Sequence, residues 1–157
     1  MKKLSLIAIA TLMAGAASAA DSKIYARADY GLFLDNAKNG SVKSDTAFTF
    51  TGNVGFGVNY GGFVVEVPDL DSLNKAFLGW SFDLTNEFSL TPKLAYRWYS
   101  KGSTERSALG AKLEAEYKVA PAFGLALTFG KFMTTTETYT TAKTDETALT
   151  FGGKFYF

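Results

Sequence analysis

From Phe48 to Tyr60 the chain alternates residue by residue between two kinds of side chain. Phe48, Phe50, Val54, Phe56, Val58 and Tyr60 take one phase, while Thr49, Thr51, Asn53, Gly55, Gly57 and Asn59 take the other. Successive side chains on a strand point to opposite faces, so this segment reads as a strand with one apolar and one polar face. The same period recurs along the whole chain after residue 20, and helical periodicity is weak throughout.

Eight such segments can be placed. The first sets Ile24, Ala26, Ala28, Tyr30, Leu32 and Leu34 against Tyr25, Arg27, Asp29, Gly31 and Phe33. The second is Phe48 to Tyr60. The third starts at Phe63, with Val65 and Val67 in the apolar phase, and Pro68 marks a bulge or its end because proline cannot donate to a ladder. Ala76 to Leu84, Phe88 to Trp98, Leu109 to Val119, Phe123 to Phe129 and Leu149 to Phe157 complete the set. Long polar connections (Asn36–Asp45, the segment after Pro68, Ser100–Arg106 and the Thr-rich Thr134–Glu146) alternate with tight turns. The turns are Gly61-Gly62, Thr85-Asn86-Glu87 and Ala120-Pro121-Ala122. The pairs flanking them, Tyr60/Phe63, Leu84/Phe88 and Val119/Phe123, all fall in the apolar phase, so three separate turns agree on one register. The long Thr-rich connection reads as a flexible polar loop, with a strand extension as the alternative.

An even number of strands with alternating short and long connections fits an all-β, eight-stranded antiparallel up-and-down transmembrane β-barrel. Size decides which face is outside. Eight strands enclose room only for side chains or one small ligand. The apolar phase, rich in the chain's 14 Phe and 8 Tyr, would overfill that space. The other phase is dominated by Gly, Ala, Ser, Thr and Asn and suits a crowded lumen. By this phase Arg27, Lys93, Arg97, Lys112, Lys118 and Lys154 point inward, together with Asp29, Glu66, Asp83, Glu114 and Glu116. Buried charge is costly unless paired, so these residues are expected to form a salt-bridged plug. A gated ion path along the same charges is the alternative. Lys131 falls in the lipid-facing phase near the outer rim, where its stem allows the ammonium to reach the interface.

The first twenty residues have a different logic. Lys2 and Lys3 precede the apolar stretch Leu4 to Ala14, which is too short to span a bilayer, and small residues follow, ending in Ala17-Ser18-Ala19. This order reads as a cleaved secretory signal peptide, residues 1–20, with the barrel in 21–157. Cleavage removes two of the 16 Lys and Arg, leaving 14 against 15 Asp and Glu and a net charge near −1. A nucleic-acid binder would need a basic face, so nucleic acid is not an expected partner. The chain has no Cys, hence no disulfide framework, thiolate chemistry or Cys-linked lipid.

The terminal segment Leu149-Thr-Phe-Gly-Gly-Lys-Phe-Tyr-Phe157 resembles the C-terminal assembly signal of bacterial outer-membrane proteins, which has a terminal Phe and apolar residues at alternate positions before it. Leu149, Phe151, Phe155 and Phe157 match that pattern, while Gly153 departs from it. Together with the eight strands, the chain resembles the small OmpA/OmpX-like and opacity-type barrels. The resemblance implies a bacterial outer-membrane location, with membrane lipids and the barrel-assembly machinery as partners. It also implies a structural or adhesive role toward an extracellular protein or envelope component.

Barrel enzymes that modify lipid or cleave protein use a histidine base, and this chain contains none. Ser81 and Ser89 lie in the polar phase without a convincing lysine partner. Asp69 and Asp71 read as solvated loop residues, and no zinc-ligand set or phosphate loop is present. The expectation is therefore a non-enzymatic barrel without cofactor or metal. It acts through its outer loops or, alternatively, as a narrow channel for ions or very small solutes.

Overall fold

The computed structural model describes residues 22–39, 42–70, 75–101, 104–137 and 142–157; the expected signal peptide lies outside them. Nine strand segments follow in chain order. They are β1 (Ser22–Asn39), β2 (Val42–Tyr60), β3 (Phe63–Val67), β4 (Lys75–Trp80), β5 (Phe82–Asp83), β6 (Phe88–Lys101), β7 (Thr104–Ala120), β8 (Phe123–Glu137) and β9 (Ala142–Tyr156). Every pairing is antiparallel between chain neighbours, and β1 pairs with β9. β4 and β5 both pair with β6 in one continuous register, Gly79 opposite Lys93 and Phe82 opposite Leu90, so they are one strand interrupted at Ser81. The result is a closed eight-stranded barrel. Closure pairs every strand on both sides at the tight-turn end, so backbone N–H and C=O groups there are satisfied without water.

The polarity of the barrel is inverted relative to a soluble domain. Tyr30, Val54, Leu78, Leu94, Leu113, Leu127, Phe129 and Phe151 are exposed outward, while Arg27, Glu66, Lys93 and Glu114 are buried inside. An apolar outer wall around a charged core minimises free energy only where the surroundings are hydrocarbon, so the barrel spans a membrane. Phe123 and Phe155 form a contact pair on this wall at the turn end, with centroids 4.8 Å apart.

The tight turns are built by local chemistry. Gly61 and Gly62 take φ of 55° and 96°, a region costly for residues with a Cβ, and the Asn59 side chain accepts a hydrogen bond from the Gly62 amide at 3.0 Å. Thr85 Oγ1 accepts from the amides of Glu87 and Phe88 at 3.2 and 2.9 Å, closing the bend before β6.

Two expectations change, at the long connections and at two outward valines, and one left open is resolved, since Pro68 marks the end of β3. The connections expected at Asn36–Asp45, Ser100–Arg106 and Thr134–Glu146 are largely strand. β1 and β2 stay paired to Asn39 opposite Val42, β6 and β7 to Lys101 opposite Thr104, and β8 and β9 run on to Glu137 and from Ala142. Runs of Thr suit a pleated backbone even where no apolar face is needed. β3, in contrast, ends at Val67, and Pro68 is buried. There the chain turns inward over Gly55, where a Cβ would lie 2.7 Å from the Pro68 Cα. Finally, Val58 and Val67 occupy outward positions but are almost fully covered.

Candidate functional site

The lumen is filled in layers, and the strand registers set their order. β1 supplies Tyr25, Arg27 and Asp29, β3 Glu66, β6 Lys93, β7 Glu114 and Glu116, β8 Thr128, and β9 Lys154 and Tyr156. All lie in the inward phase, so their side chains converge on the axis.

Glu114 and Glu66 are the two hubs. Glu114 accepts from Lys93 Nζ at 2.7 Å, Arg27 Nη1 at 3.0 Å and Thr128 Oγ1 at 3.2 Å, and it also bonds Lys154 Nζ. Glu66 accepts from Lys93 Nζ at 2.7 Å and the Tyr25 hydroxyl at 2.8 Å, and it pairs with Arg27. Arg27 Nε reaches Asp29 at 2.6 Å, Lys154 Nζ reaches Glu116 at 2.9 Å, and the Tyr156 hydroxyl donates to Glu116 at 2.5 Å. Three cations thus face four carboxylates, and both hubs have 0% exposed side chains. A buried ion set of this kind persists only when nearly every lone pair and proton is used, as here.

Lys112 behaves differently. It stands directly opposite Lys93 in the β6–β7 ladder, where two ammonium groups at one level would repel. Lys93 turns toward the carboxylates, whereas Lys112 turns the other way and places Nζ 4.4 Å from the Phe77 ring centroid and 5.3 Å from that of Phe132. Among the described residues no carboxylate pairs with it; the aromatic faces supply the negative potential instead. Phe77 and Phe132, with centroids 6.3 Å apart, form with Ala95 and Ala108 a buried apolar collar on the hairpin side of the ion layer. Above it Arg97 lies 5.1 Å from the Phe132 centroid and donates to Glu146 at 2.5 Å.

Of the eleven inward charges read from the sequence, Arg27, Asp29, Glu66, Lys93, Glu114, Glu116 and Lys154 are joined in the ion layer. Arg97 pairs with Glu146, and Lys112 packs on aromatic rings. Asp83 and Lys118 do not join the buried plug: they form a 3.3 Å pair at the tight-turn rim, with Asp83 largely in solvent. The alternation fixes the face of these two residues but not their depth. Glu146, Tyr25, Tyr156, Thr128 and the collar were not read as parts of the site. Glu146 fell at the end of an apparent polar loop, although its two-residue spacing from Ala148 and Thr150 carries the inward phase. Among the described residues no group of His, Cys, Asp and Glu is arranged to hold a metal ion. In the terminal segment Leu149, Phe151 and Phe155 face outward on β9, which is paired with β1 on one side and β8 on the other, and Phe157 follows it, largely exposed.

No protein-family model matches the chain, and no curated protein matches it. Among solved structures, it is similar to Neisserial surface protein A, at 16% identity and a TM-score of 0.52, over 85% of this chain and 97% of that one. It is also similar to Ail, the attachment invasion locus protein of Yersinia pestis, solved with the heparin analogue sucrose octasulfate. There the identity is 12% and the TM-score 0.50, over 86% of this chain and 99% of Ail. The shared feature is the fold of small eight-stranded outer-membrane barrels.

Proposed function

We propose that the chain is exported by a cleaved signal peptide, is inserted by the barrel-assembly machinery through its Phe157-terminated strand, and resides in the outer membrane. There it acts as a non-enzymatic surface-interaction barrel. The observation that carries this reading is the uneven height of the wall. A strand needs roughly 9–11 residues to cross the hydrocarbon. β1 and β2 have 18 and 19, and their upper parts, rich in Asn, Asp, Lys, Ser and Thr, stay paired well beyond the belt. β3 and β4 are short, so among the described residues β2 above Val54 is paired only on its β1 side. An extended segment of an extracellular protein or envelope component would add to that edge by backbone hydrogen bonding. Ail, a protein of the same fold, is named for attachment and invasion, which agrees with such a role.

The channel alternative is opposed by the filled lumen: an ion crossing it would have to displace the ion layer and then the Phe77–Phe132 collar. The test is attachment of bacteria displaying the barrel to cultured cells. In one variant residues 36–46 are replaced by Asn-Gly; in a second, residues 134–144 are replaced in the same way, which spares Glu146. Loss of attachment in the first variant, with surface level and heat-modifiable mobility unchanged, is expected. Full attachment by both variants would overturn the proposal.

A further inference from the structure

At the tight-turn end, opposite the long hairpins, the lumen opens into a blind cavity of about 250 Å³ lined by residues including Lys23, Asn59, Ser89, Thr91, Lys118 and Lys154. The ion layer forms its floor. Ser89 and Thr91 are each only 2% exposed, yet among the described residues their hydroxyls have no side-chain partner. Neither hydroxyl oxygen is sealed in protein, since among the described residues only Glu146 Oε1 is buried without a partner; side by side on β6 and lining one cavity, the two offer donors to whatever occupies it. Charge indicates what that is. Lys23 stands at the mouth with no carboxylate beside it among the described residues, and Lys118 has only the exposed Asp83. The other acid of the cavity, Glu116, is already engaged by Lys154 and the Tyr156 hydroxyl. The lining therefore carries three cations against two carboxylates, with one carboxylate neutralised at the floor.

We propose that this cavity is a binding site for a small oxyanion, a phosphate or carboxylate group, presented from the periplasmic side. Ser89 and Thr91 donate hydrogen bonds to it, while Lys23 and Lys118 draw it in. The volume equals that of about eight waters, which limits the occupant to a small molecule or the end group of a larger one. The site lies at the far end from the adhesive hairpins, so its fate is independent of theirs.

The test is an NMR titration of ¹⁵N-labelled residues 21–157 in micelles with inorganic phosphate, with acetate, and with acetamide as the neutral isostere. Saturable shifts at the Gly61, Gly62 and Ser89 amides are expected with at least one anion and not with acetamide. Tighter phosphate points to a phosphoryl source and tighter acetate to a carboxylate terminus. The Ser89→Ala/Thr91→Val double variant should weaken anion binding by about tenfold or more. Lys23→Gln, at the solvent-exposed mouth, should weaken it too and serves if the double variant does not fold. Absence of saturable shifts with both anions, equal binding of acetamide, or unchanged affinity in a folded variant would overturn the proposal.

Discussion

Replacing Glu114 by glutamine keeps the shape of the side chain and removes one charge from the centre of the barrel. Arg27, Lys93 and Lys154 all contact that carboxylate, and the site admits no water to its side chain. After the substitution three buried cations share Glu66, Glu116 and Asp29. The amide nitrogen of the new residue also turns a donor toward donors. Breaking a buried ion pair by removing one partner costs about 3–5 kcal/mol, because the charge left behind stays desolvated. With three cations affected, the upper half of that range is expected, a shift in the folding equilibrium of roughly a thousandfold. Reversible urea unfolding of the barrel in lipid vesicles, followed by tryptophan fluorescence, measures it. The Glu114→Gln/Lys154→Met pair should lose less than the two single variants added together, because removing both partners leaves fewer unpaired charges. A loss below about 1 kcal/mol for Glu114→Gln would refute the reasoning, since only a hydrated, loosely paired carboxylate is that cheap to remove.

The outward face yields a depth-dependent prediction. Leu127→Arg, midway along the exposed stretch of β8 between Phe123 and Met133, should cost about 2–4 kcal/mol in the same assay, whereas Val119→Arg at a tight turn should cost about 0–1. The crowded lumen gives another. At Gly152 an added Cβ would lie 2.8 Å from the Asp29 Cα and strike the Asp29 carboxylate, so Gly152→Ala should destabilise by about 1–3 kcal/mol in that unfolding assay.

Much of the barrel was legible because its physics repeats. Each tight turn places its flanking residues on one face, so Tyr60/Phe63 and Val119/Phe123 lock the phase of four strands without tertiary information. The crowding argument then decides which face is outside. Alternation says nothing, however, where a strand carries no run of apolar residues to alternate. Above the belt Thr134 to Glu137 and Val42 to Thr46 have no apolar phase to display, so strand looked like loop, and Glu146 was lost with it. Phase also gives direction without depth: Asp83 points inward by count but sits on the rim, where water competes with Lys118. Nor does it name partners. Lys93 and Lys112 are equivalent by period, and only the opposition of the two ammonium groups across the ladder sends one to carboxylates and the other to Phe77 and Phe132. Nor does alternation report that Val58 and Val67, in the outward phase, are almost fully covered.

Single-channel recording of the refolded barrel in a planar bilayer, with heat-modifiable mobility confirming its fold, distinguishes a sealed surface-acting barrel from a conducting one. Silence is expected, because the ion layer and the aromatic collar lie in series across the lumen. Discrete, reproducible openings would contradict this and would move the functional site from the outer hairpins to Arg27, Glu66, Lys93 and Glu114.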